Sequence, residues 1–122
     1  MKNQITYLKI LDWCIVKYGM SRYFDDYPDL EIEISTDCSK YLAEFESENC
    51  IIFIYRKVID VLDVKTMILT VIHEYQHYLQ DPKLSDICYR TLEYSENPFE
   101  IEAERIAQQD WEECYNDVTN YR

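Results

Sequence analysis

The chain reads as an α+β fold, and three features carry that reading. Apolar residues recur at i, i+3, i+4 and i+7 in stretches at the beginning, after the middle and at the end of the 122 residues. Between the first two stretches, Leu30–Ile34 and Tyr41–Glu46 alternate apolar and polar with period two, and Cys50–Tyr55 is an unbroken apolar run. The expected order is an N-terminal helix, a small three-stranded and mostly antiparallel sheet, a second helix, and a C-terminal helix, in a single domain over 1–122.

The first helix is expected over Gln4–Tyr18, with Ile5, Leu8, Leu11, Ile15 and Tyr18 as its apolar stripe. Gly19 suits the left-handed position that ends such a helix. A loop follows over Arg22–Asp29, rich in Asp and closed by Pro28-Asp29. Leu30-Glu31-Ile32-Glu33-Ile34 is a half-buried strand, Ser35–Ser39 a turn, and Tyr41–Glu46 a second alternating strand. Ser47-Glu48-Asn49 makes a hairpin turn into Cys50–Tyr55, whose continuous apolar character predicts a strand covered on both faces. The outward glutamates 31, 33, 44 and 46 read as a solvated face.

A second helix begins at Asp63, a natural N-cap, and carries Val64, Met67, Ile68, Val71, Ile72, Tyr75 and Leu79 on its core side. Asp81-Pro82 ends it. Residues 83–93 support either a short helix or a turn. Asn97 as N-cap and Pro98 in the first helical position then announce the last helix, to about Val118.

Both histidines of the chain lie on the second helix, in His73-Glu74-Tyr75-Gln76-His77. Residues four apart stand on one helical face, so His73 and His77 can hold one metal ion between them. Two histidines placed at random would fall at this spacing on the order of once in sixty trials, before the glutamate is counted. Glu74 sits about 100° further round, at the rim of that face, where it can reach a metal-activated water without being a ligand. This is the H-E-x-x-H arrangement of zinc peptidases. The alternative is a solvated face that happens to carry two imidazoles.

On the last helix, Ala103, Ala107, Trp111, Cys114 and Val118 form the apolar face, and Glu100 and Glu104 project into the same sector. Carboxylates facing a core need compensation. Glu100 is therefore the candidate third ligand, and Glu104, one turn on, the candidate carboxylate behind a ligating histidine. Glu100 also stands third in its helix, where a carboxylate can act as a cap instead.

His73-Glu74-x-x-His77 followed by Glu100-x-x-Ala103-Glu104 resembles the gluzincin metallopeptidases, and the order of elements is similar to that of their smallest members, the minigluzincins. The resemblance implies that His73, His77 and Glu100 bind one catalytic zinc ion and that Glu74 is the general base. It implies hydrolysis of peptide or protein substrates. Many relatives carry aspartate where this chain has Glu104. For the donor that steadies the oxyanion, Tyr94 is the candidate, with Tyr89 behind it. An edge strand, Tyr41–Glu46 by this reading, would take substrate in extended form.

Composition bounds the alternatives. With 48% apolar residues, twelve tyrosines, one glycine and three prolines, the chain has little linker sequence. A net charge of −12 disfavours nucleic acid and acidic membrane surfaces and suits divalent cations and basic peptides. The five cysteines form no C-x-x-C pair and no leader peptide is evident, so reduced thiols and a cytoplasmic location are expected. A non-enzymatic zinc-binding interaction module is the competing class. A latent peptidase covered by its Asn116–Arg122 segment or by a cysteine is another. Oligomeric state is not addressed by these features.

Overall fold

The computed structural model describes residues 2–35, 43–57 and 63–119. Their order is α1 (Lys2–Tyr18), β1 (Asp29–Ser35), β2 (Ala43–Glu46), β3 (Ile51–Lys57), α2 (Val64–Leu79), α3 (Pro82–Thr91), a 3-10 turn at Tyr94–Glu96, and α4 (Pro98–Thr119). The α+β class and the order of elements match the expectation. Cys38, Tyr41, Leu42, most of the 35–39 turn and residues 120–122 of the C-terminal segment lie outside the described residues.

The sheet is mixed, with strand order β1-β3-β2. β2 and β3 form the antiparallel hairpin, pairing Ala43 with Ile54 and Phe45 with Ile52. β1 lies on the other side of β3 and runs parallel to it, Leu30 opposite Ile52 and Ile32 opposite Ile54. The chain therefore crosses over between β1 and β2, and among the described strands β1 and β2 are the edges. Ile52 and Ile54 are buried on the helix side. On the outer side Phe53 and Tyr55 stack at 6.4 Å and are half-buried beside Glu31, Glu33 and Glu44. The unbroken apolar run of β3 thus reflects its central place in the sheet, not a second helical layer.

α2 is the axis of the core. Met67, Ile68, Val71, Ile72 and Tyr75 are buried against α1 and the sheet, as their spacing predicts. Asp63 caps the helix by accepting from the Thr66 N–H at 2.8 Å. At its far end Tyr78 is fully buried, and its hydroxyl accepts from Ser21 N–H and donates to the Asp26 carbonyl. This pins the last turn of α2 to the 21–27 loop.

The inward face of α1 differs from the expected stripe. Tyr7, Ile10, Leu11 and Cys14 are buried, whereas Leu8 is 42% exposed. Two stripes overlap on this helix, and the Tyr7 ring and the Cys14 thiol are apolar enough to fill the inner one. Gly19 takes φ +79 after the last turn and its N–H bonds to the Ile15 carbonyl, as the C-terminal reading requires.

α4 packs on α2, and its buried residues are Glu100, Ala103, Ala107 and Cys114. Two alanines one turn apart let the helix axes approach closely, which brings the first turn of α4 under the histidines. Glu102, Arg105, Gln109, Glu112, Glu113 and Asn116 face water, as read from the sequence. α1 holds the other end of α4, with Trp13 bonded to Asp117, Tyr18 to Asp110, and Lys17 paired with Glu113. No helix among the described residues is long and apolar enough to cross a membrane.

Candidate metal centre

Three elements bring the site together. The last two turns of α2 supply His73, Glu74 and His77, the first turn of α4 supplies Glu100, and β2 closes one side. Asn97 sets the start of α4. It is 1% exposed, and its side chain accepts from the Phe99 N–H at 2.9 Å. Glu100, three residues beyond this cap, is held facing inward and is only 4% exposed.

One oxygen of Glu100 lies 2.8 Å from His73 Nε2 and 3.0 Å from His77 Nε2. His73, His77 and Glu100 each offer a ligand atom within 4.8 Å of the others, a group that can hold a metal ion. The expected second carboxylate is also near. Glu104 Oε2 is 3.3 Å from His73 Nδ1, but its side chain is 59% exposed. Glu104 therefore stands at the rim, not in the core as the helical wheel suggested. A full turn past Glu100 it has risen out from beneath α2, and Gln108 binds its other oxygen.

A further residue was not anticipated. Gln80 Oε1 lies 2.7 Å from His77 Nδ1, and Gln80 is 6% exposed. The signal was present, since Gln80 follows His77 by three and so shares its helical face. An amide carries no charge to mark it in the sequence.

The surroundings of the two rings bear on whether a metal fits. All four ring nitrogens face oxygen atoms. A neutral imidazole has one N–H, so two neutral rings cannot donate in all four directions. A cation among the Nε2 atoms and the Glu100 carboxylate removes the conflict, because each ring then donates from Nδ1 and turns a lone pair inward. Two imidazoles and one carboxylate are a donor set suited to a divalent ion.

Without an ion, hydrogen bonds and charge hold the same groups together. Burial would raise the Glu100 carboxyl, but the hydrogen bonds from His73 and His77 outweigh it and pull the group down to about 2. Burial lowers the His73 imidazolium, yet the bond to Glu100 and the charges of Glu74, Glu100 and Glu104 raise it overall. Glu74 is 8% exposed, and its carboxyl is raised, first by burial and then by Glu100, against the opposing pull of both histidines and the Phe45 N–H. Burial thus makes Glu74 hold a proton more readily than an exposed carboxylate does.

The group opens into a cleft of about 560 Å³. Ala43, Glu44 and Phe45 of β2 form one wall, and Asp86 and Tyr89 of α3 the other. Tyr94 also lines the cleft but is 58% exposed. The Tyr89 ring lies 6.4 Å from that of His77. Among the described cysteines, Cys14 and Cys114 are buried in the core, and none joins the ligand group. Searches against protein-family models, curated proteins and solved structures find no match to this chain.

Proposed function

We propose that the chain is a zinc-dependent peptidase of gluzincin type, with His73, His77 and Glu100 holding the ion and Glu74 as general base. The observation that carries this reading is the convergence of both Nε2 atoms on one Glu100 oxygen, with a buried carboxylate next to them and an open cleft in front. A site serving only to brace the fold needs neither Glu74 nor the cleft.

Bound at these three residues, zinc would acidify water and polarise a carbonyl. The chain's own groups supply the remainder. Glu74 accepts the proton of the attacking water and passes it to the departing amine. Among the described strands β2 is an edge strand and it lines the cleft, so an extended peptide could lie along it and present its carbonyl to the histidines. Tyr94 and Tyr89 stand on the opposite wall as candidate donors to the oxyanion.

The test uses zinc-loaded protein, a mixed peptide pool, and the variant Glu74→Gln. Cleavage by the parent with a loss of at least about 10²-fold in the variant is expected, the scale of a general base. Cleavage unchanged in Glu74→Gln would remove the mechanism. A parent that binds zinc and cleaves no peptide would leave a metal-binding interaction module as the function.

A further inference from the structure

Gln80 joins both ligand-bearing helices through one side chain. Its backbone closes α2, with the N–H bonded to the carbonyls of Gln76 and His77. Its amide Nε2 donates to the Phe99 carbonyl at 2.9 Å and approaches Glu102 Oε1 at 3.3 Å, both in the opening turns of α4. Both of those partners are acceptors only, so the NH₂ group must face them. The amide oxygen is then left with one direction, toward His77 Nδ1 at 2.7 Å. An acceptor there requires that His77 carry its hydrogen on Nδ1, which turns the Nε2 lone pair toward Glu100 and the ion.

We propose that Gln80 is the positioning residue of the metal centre: it sets the tautomer and ring orientation of His77 and fixes the register of the Glu100 turn against it. Glu104, the carboxylate that the sequence singles out for this role, contributes less. The contrast follows from burial. Gln80 is 6% exposed and held at three points, whereas the Glu104 side chain is 59% exposed and its contact to His73 is longer, 3.3 Å. A hydrogen bond shielded from water is both stronger and better fixed in direction than one at the rim. The neutral amide has a second consequence. It orients His77 without adding a negative charge to a site that already holds Glu74 and Glu100.

The inference rests on the metal reading but not on peptide hydrolysis, and its test needs no activity. Zinc affinity is measured by competition with a chromophoric chelator for the parent, Gln80→Leu, Gln80→Glu and Glu104→Gln. The same zinc-loaded samples, ¹⁵N-labelled on histidine, are examined by NMR for the His77 Nδ1–H proton. Gln80→Leu is expected to weaken zinc by about 10–100-fold, the usual range for such outer partners, and to lose the exchange-protected Nδ1–H signal. Gln80→Glu keeps an acceptor for Nδ1 but loses the NH₂ that Phe99 and Glu102 accept from, so it is expected to retain the Nδ1–H signal while recovering only part of the affinity. Glu104→Gln is expected to cost less than Gln80→Leu. Parent-like affinity in a folded Gln80→Leu overturns the proposal, as does a larger loss in Glu104→Gln. Should Gln80→Leu fail to fold, the parent spectrum decides: a His77 ring bound to zinc through Nδ1 overturns it. A parent that binds no zinc overturns the metal reading itself, and this is seen before any variant is compared.

Discussion

Replacing Tyr78 by Phe removes one oxygen from the interior and tests how α2 is held. In the parent that hydroxyl accepts from Ser21 N–H at 3.1 Å and donates to the Asp26 carbonyl at 2.7 Å. Tyr78 is 0% and Ser21 4% exposed, so water does not readily replace the lost acceptor. Asp26 is exposed and its carbonyl can turn to solvent at little cost. The dominant loss is the stranded Ser21 N–H, about 1–3 kcal/mol, with a smaller net contribution from the second bond. The ring itself stays, packed against Phe24 at 5.5 Å and Tyr75 at 5.1 Å, so no cavity opens. A total near ~2–3 kcal/mol follows. For 122 residues the unfolding entropy is about 0.26 kcal/mol/K, which converts this to a fall in Tm of roughly 8–12 °C. Calorimetry on the ion-free proteins reads it directly. A fall under about 3 °C would refute the reasoning, because Ser21 would then have found another partner.

The remaining predictions concern the caps and the thiols. Asn97→Ala removes the buried N-cap of α4 and is expected to cost about 1–2 kcal/mol and to weaken zinc, since Glu100 rides on that first turn; thermal melts and a zinc titration check both, and an unchanged Tm contradicts it. Asp63 is held below the usual carboxylate range by its bonds from Thr66. Its contribution is therefore present above the ordinary Asp value and lost as pH falls through the depressed one. Asp63→Asn keeps a cap that does not titrate, so the stability gap between parent and variant should narrow on acidification below pH ~4; a constant gap contradicts the assignment. Cys14 is raised by burial and by the neighbouring Cys114, and Cys114 is pushed up to about 12 by burial, then by Asp117 and Glu113. Both should alkylate only on unfolding, well after Cys88, as peptide mapping of a time course would show; equal rates would contradict the burial.

Much of the fold was legible because α2 and α4 obey a strong helical period and carry chemical punctuation at Asp63, Asn97 and Pro98. The hairpin from β2 to β3 was legible for the same kind of local reason. The parallel pairing of β1 with β3 was not, because it joins distant segments and leaves no mark on the alternation of either strand. On α1 two apolar stripes compete, and only the packing of α2 decides that Tyr7 and Cys14 go in while Leu8 stays out. α3 buries none of its residues, which explains why 83–93 gave no clear periodic signal against a core.

The site divides in the same way. His73 and His77 are set by spacing within one helix, and Glu100 by a cap and a buried carboxylate in need of a partner. Those are local or energetic signals that a sequence carries. The burial of Gln80 and the exposure of Glu104 depend on how α4 lies against α2 in three dimensions, which no local pattern in the sequence carries.

X-ray absorption on the protein loaded with one equivalent of zinc tests the central claim most directly. Two imidazole nitrogens, one carboxylate oxygen and a solvent oxygen at about 2.0–2.2 Å are expected, with the carboxylate contribution lost in Glu100→Ala. A sulfur shell near 2.3 Å, or a spectrum indifferent to Glu100, would show that the ion is held elsewhere.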